Sequence, residues 1–92
     1  MGRQFVVKTR FQRRYDQLTP SEQLLVKKSL EQFQRYLDTG QAALGLGLRK
    51  LGAGVYEFRA GLGLRAISVE DGSLVVLALL GSHDEVRRFL KR

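Results

Sequence analysis

The sequence predicts a small α+β domain: an antiparallel sheet of about four strands, packed by one or two N-terminal helices and followed by a short C-terminal helix. Three observations carry that expectation. Thr19-Pro20-Ser21-Glu22 opens a run with helical apolar spacing. From Val55 to Leu80, short apolar segments are divided by glycine turns, the pattern of a meander. Ser82-His83-Asp84-Glu85 then repeats the helix-opening signal directly after the last strand. At 92 residues the chain allows one domain, 1–92, with a single modest core. A hydrophobic share of 43% with 27% charged residues is globular rather than disordered.

Each element follows from local chemistry. Phe5-Val6-Val7 is a short strand, and the stretch 8–17 with Phe11 and Tyr15 adds a short helix. In the long helix, read as 20–38, Thr19 caps, Pro20 suits the first helical position and Glu22 completes the capping box. Leu25, Ser29, Phe33, Tyr36 and Leu37 follow its helical spacing, with Val26 and Leu30 widening a stripe expected in the core, and Gly40 stops it. Residues 40–54 are glycine-rich and lack a periodic stripe, so they read as a loop. Residues 55–60 alternate as a half-buried strand, with Tyr56 and Phe58 inward and Glu57 and Arg59 on the other face. Gly61-Leu62-Gly63 turns into the strand 64–69, Asp71-Gly72 is a hairpin signal, and the apolar run 74–80 belongs in the centre of the sheet. Val86, Phe89 and Leu90 give the last helix its inner stripe.

Gly45-Leu46-Gly47-Leu48-Arg49 recurs as Gly61-Leu62-Gly63-Leu64-Arg65. Neither copy has the third glycine or the strand–helix setting of a dinucleotide fingerprint, and two copies do not make a repeat architecture, so the echo reads as coincidence.

The chain holds 16 Lys+Arg against 9 Asp+Glu, a net charge of +7, with one histidine and no cysteine. The absence of cysteine excludes a disulfide scaffold, Cys-ligated zinc and a thiol nucleophile. No apolar run reaches the ~18–20 residues of a membrane span, and residues 1–15 lack the features of a secretory signal. The positive charge is concentrated in Arg3, Lys8, Arg10, Arg13 and Arg14, in the segment from Arg49 to Arg65, and at the C-terminal tip. An anionic partner is indicated.

In order and length, several of these segments resemble the RelE/ParE superfamily of bacterial type II toxins. The segments are Leu48-Arg49-Lys50-Leu51-Gly52, Val55-Tyr56-Glu57-Phe58-Arg59 and Leu64-Arg65-Ala66-Ile67, then Gly81-Ser82-His83-Asp84-Glu85-Val86 with Phe89-Leu90. The histidine at the last strand–helix junction places the likeness in the RelE-like branch. The resemblance implies a cytoplasmic toxin that cleaves mRNA, commonly at the ribosome, and is silenced by a partner antitoxin. It also implies that Arg59, Arg65, His83 and Phe89 act in cleavage. Two departures stand out. Phe89 replaces a tyrosine common in ribosome-dependent members, so it stacks on a base but donates no proton. The further histidines of the histidine-type members are absent.

For such a nuclease, the 2′-hydroxyl must be deprotonated, charge on phosphorus stabilised and the 5′-oxygen protonated. The scattered acids favour a metal-independent reaction, and nothing in the pattern calls for a cofactor. His83 is the one side chain that ordinarily titrates near neutrality. Arg59 and Arg65, on strands joined by a short turn, are expected to converge on one phosphate. Glu57 either pairs with Arg59 or serves as base for the 2′-hydroxyl. Arg49 and Lys50, with Arg10, Arg13 and Arg14, would follow the RNA backbone. The rival readings are a ParE-like toxin that inhibits DNA gyrase without nuclease chemistry, and a chain that kept only antitoxin or RNA binding.

Overall fold

The computed structural model describes residues 3–91. Its elements are β1 (Gln4–Val7), α1 (Thr9–Asp16), α2 (Pro20–Thr39), β2 (Arg49–Gly52), β3 (Val55–Gly61), β4 (Leu64–Asp71), β5 (Leu74–Gly81) and α3 (His83–Leu90). One sheet runs in the order β1-β5-β4-β3-β2. The α+β architecture is the one the sequence predicts, and two details differ.

First, β1 pairs parallel with β5, with Phe5 opposite Val75, so five strands form a mixed sheet rather than about four antiparallel ones. The apolar β5 becomes central only because β1 returns to cover its free edge. Second, the glycine-rich segment read as a loop contains β2, which pairs antiparallel with β3 and slips register between Lys50 and Gly52. A four-residue edge strand with one half-buried side chain leaves no periodic trace.

Helix α2 begins where the sequence says. The Thr19 hydroxyl accepts from the Glu22 backbone N–H at 3.2 Å, while Glu22 Oε1 accepts from the Thr19 N–H at 2.9 Å. Gly40 ends the helix in the left-handed region at φ 79°, donating to the Tyr36 carbonyl at 2.7 Å. The row facing the sheet is Val26, Leu30, Phe33 and Leu37, of which Val26 and Phe33 are buried and the two leucines half-buried, while Leu25, expected in the core, is 39% exposed. Leu25 lies one position off that row, about a quarter of a helical turn away. Phe33 stacks on Phe58 at 4.5 Å between ring centres and meets Tyr56 edge-on at 5.6 Å. Truncating Phe33 to alanine would remove about 3–5 kcal/mol, a large share of a small domain's stability.

The main core lies between the sheet and the two N-terminal helices, with Phe11, Val26, Phe33, Phe58 and Leu80. A smaller cluster of Ile67, Ala78 and Val86 seats α3 on the opposite face, joined by Leu51, Val69 and Phe89. Because α3 has only eight residues, it leaves open a cleft beside β2 and β3.

Candidate functional site

The cleft has a volume of about 410 Å³ and is lined by Arg49, Leu51 and Glu57 from the sheet and by His83, Val86, Arg87, Leu90 and Lys91 from the C-terminal segment. Register explains the sheet side. Arg49 faces Glu57 across β2–β3, Glu57 faces Ile67 across β3–β4, and side chains opposite one another share a face. The helix side follows from spacing. His83, Arg87 and Lys91 recur every fourth residue and so line one flank of α3.

Glu57 organises the floor. It is 3% exposed, with Oε1 3.7 Å from Arg49 Nη1 and Oε2 3.3 Å from Arg65 Nη1. A buried carboxylate is costly unless partnered, and each of its oxygens faces a guanidinium group that also keeps contact with solvent. Around the cleft, the permanent cations Arg49, Arg65, Arg87 and Lys91 stand against this one carboxylate. Guanidinium and ammonium groups arranged in this way have the chemistry to hold a phosphate.

The repeated Gly-Leu-Gly-Leu-Arg segment gains a structural reading here. Gly45, Gly47, Gly61 and Gly63 all have positive φ, at 86°, 62°, 141° and 70°, a region that penalises residues with a Cβ. Each copy turns the chain into a strand flanking β3, and the arginines that end the copies, Arg49 and Arg65, are the two partners of Glu57. Each copy thus ends in an arginine that pairs with Glu57, although Leu46 of the first is buried where Leu62 of the second is exposed.

His83 is exposed as the first residue of α3, and a capping box fixes the start of the helix just before it. The Ser82 hydroxyl accepts from the Glu85 N–H at 3.2 Å, and Glu85 Oε1 accepts from the Ser82 N–H at 2.8 Å. Arg14 Nη1 reaches both carboxylate oxygens of Glu85 at 3.0 Å. The Ser82 backbone hydrogen bond, with the Arg14 charge adding to it, holds the Glu85 carboxyl below its ordinary value against a smaller opposing effect of burial.

Several expected members lie elsewhere. Arg59 and Arg65 are opposite one another in register, but their side chains part. Arg65 turns to Glu57, whereas Arg59 lies over Gly47, where an added Cβ would meet its Cγ at 3.1 Å, and lines a different groove with Leu25 and Leu62. The expected Glu57–Arg59 pair is thus replaced by pairs with Arg49 and Arg65. Lys50 alternates to the other face of the sheet, where its Nζ sits 6.0 Å from the centre of the Tyr56 ring. Phe89 leaves the cleft for the α1 side, with the Arg10 guanidinium 5.6 Å over its ring. Arg14 is engaged by Glu85, while Arg13 is exposed beside it. Sequence reasoning missed Arg87 and Lys91, although the four-residue spacing from His83 was available to find them.

Several toxins of known structure share this architecture. A copper-bound mutant toxin from Helicobacter pylori superposes with a TM-score of 0.64 at 17% identity, over 91% of this chain and 98% of that one. RelE in the RelB–RelE antitoxin–toxin complex of Methanococcus jannaschii gives 0.61 at 10% identity, over 91% and 96%. YafQ in the E. coli DinJ–YafQ toxin–antitoxin complex gives 0.59 at 11% identity, over 94% and 98%. No family model and no curated relative matches the chain. At these identities the likeness establishes the fold.

Proposed function

We propose that this chain, which has the fold of the RelE and YafQ toxins, is the toxin of a type II toxin–antitoxin pair and a metal-independent endoribonuclease that cuts mRNA at the ribosome. The observation that carries the reading is the cleft itself. It brings the chain's one histidine together with Arg49 and the buried Glu57, whose second arginine partner is Arg65, and with Arg87 and Lys91 of the C-terminal segment. Among the described residues, no three His, Asp or Glu side chains gather into a metal-binding cluster, so the cleft offers fixed cations where a metal-dependent nuclease offers clustered ligands.

The chemistry follows from those positions. The 2′-oxygen bonds to phosphorus as it loses its proton, and the bond to the 5′-oxygen breaks as that oxygen gains one. Arg65 and Arg49 hold the scissile phosphate and stabilise the charge that accumulates on it. His83, at the rim and exposed, transfers one of the two protons. Glu57 acts as a positioning residue, since it is buried and each of its oxygens faces a guanidinium group. Arg87 and Lys91 hold the RNA backbone alongside. The partner in the cell is a cognate antitoxin, and the site of action is the cytoplasm. No helix among the described residues is long and apolar enough to cross a membrane.

Primer-extension mapping of cellular transcripts after induction tests this reading. Discrete cuts inside coding sequence are expected, and co-expression of the adjacent gene should suppress them. Intact transcripts accompanied by DNA-damage signalling would refute it in favour of a ParE-like gyrase inhibitor.

A further inference from the structure

Away from the cleft, a second groove of about 240 Å³ runs between α2 and two loop tips. Its apolar members are Leu25, Leu44 and Leu62, and its polar rim includes Lys28, Gln32 and Arg59. Leu25, Lys28 and Gln32 recur at helical spacing, so they form one flank of α2 adjacent to the flank buried on the sheet. The two loop-tip leucines stand out for their exposure. Leu44 is 101% exposed and Leu62 88%, although the neighbouring Leu46 and Leu64 are both buried.

A leucine held fully in water at the tip of a tight turn contributes nothing to the core of this chain. Two of them facing one groove, beside the half-exposed Leu25, mark an interaction surface. The charge on the rim selects the occupant. Lys28 and Arg59 are cations and no acidic residue lines the groove. A second copy of the chain laying the same patch against this one would bring cation onto cation, in a molecule with a net charge of +7. RNA would satisfy the cations and leave the leucines wet. A polypeptide segment with leucine-sized side chains and interleaved carboxylates satisfies both.

We propose that this groove docks an acidic, apolar segment of the cognate antitoxin, with Leu25, Leu44 and Leu62 receiving its apolar side chains and Lys28 and Arg59 its carboxylates. The proposal rests on the toxin reading given above. It also gives Arg59 a role outside the cleft, consistent with its side chain lying over Gly47 rather than toward Glu57.

The test uses the full chain and the protein encoded by the adjacent gene. Backbone hydrogen exchange is followed for the free chain and the complex, and affinity is measured for wild type, Leu62→Ser and Lys28→Glu. Both altered positions are exposed, so the variants fold, and free-variant melting and mRNA cleavage matching wild type verify it. The proposal expects slowed exchange over residues 24–32 and 60–64 on binding. It also expects each substitution to weaken the complex at least tenfold. Wild-type affinity in both variants, or protection confined to other elements, overturns the groove while leaving the toxin reading intact. Failure of the wild-type chain to bind that protein also overturns it. Loss of transcript cleavage and suppression together, by contrast, defeats the toxin reading itself.

Discussion

The two flanks of α3 use the same residue types for opposite ends. Toward β2 and β3, His83, Arg87 and Lys91 face an open cleft, and Arg49 and Arg65 are gripped from beneath by a carboxylate that points them outward. Toward α1, Arg14 is closed onto Glu85 and Arg10 lies on the Phe89 ring, so these arginines hold the helix to the body of the protein. The net charge of +7 contains both kinds and does not separate them. Partner geometry does. Arg14 has the Glu85 carboxylate to itself at 3.0 Å, whereas Arg49 and Arg65 share the single carboxylate of Glu57 at 3.7 and 3.3 Å, which leaves guanidinium donors over for an anion.

That division is most exposed to refutation at Arg65. On the proposed nuclease reading, replacing it with glutamine removes charge from the scissile phosphate, and cleavage should fall by about 100-fold or more. Arg59→Gln, one strand away, should leave cleavage within about threefold of wild type. Comparable losses in both would mean that the two guanidinium groups converge after all. On the helix, the double variant Arg87→Gln/Lys91→Gln should slow cleavage about tenfold. It should also lower the slope of log affinity against log salt by about one for each phosphate that these two cations neutralise. An unchanged salt slope would remove these residues from the RNA path.

The α1 flank should answer in stability instead. Arg14 and Glu85 are both about a third exposed, so solvent screening limits their pair to about 0.5 kcal/mol. Arg14→Gln should therefore lower Tm by about 2–4 °C. The acid response is the subtlest. Because the folded state holds the Glu85 carboxyl below its ordinary value of 4.5, its contribution is complete above that pH and disappears as the pH falls through the lower folded value. The Tm difference between wild type and Glu85→Gln should be full at pH 7 and shrink below 4.5. A difference that grew with acid would reverse the sign.

What the sequence revealed and what it concealed divide along similar physical lines. Thr19 with Glu22, Ser82 with Glu85, and Gly40 act within a few residues of themselves, so both capping boxes and the helix stop could be read directly. The parallel pairing of β1 with β5 depends on a contact across most of the chain, and no local pattern encodes it. Of the residues singled out in the sequence, His83, Arg49 and Glu57 line one cleft and Arg65 pairs with Glu57, whereas Arg59, Lys50 and Phe89 lie elsewhere. Strand alternation put Glu57 and Arg59 together, but Arg65 and Arg49 reached the carboxylate from the neighbouring strands, a cross-strand choice that alternation cannot decide. The two arginines that reach the carboxylate are the final residues of the Gly-Leu-Gly-Leu-Arg echo.

The most direct measurement compares His83→Gln with Arg14→Gln in single-turnover cleavage on mRNA-programmed ribosomes, with melting curves for both. The division of α3 into a chemical flank and a structural flank requires His83→Gln to cleave about 100-fold more slowly or worse at an unchanged Tm. It requires Arg14→Gln to cleave at nearly the wild-type rate with a lowered Tm. The opposite assignment, with His83→Gln fully active and Arg14→Gln inactive at an unchanged Tm, would contradict it.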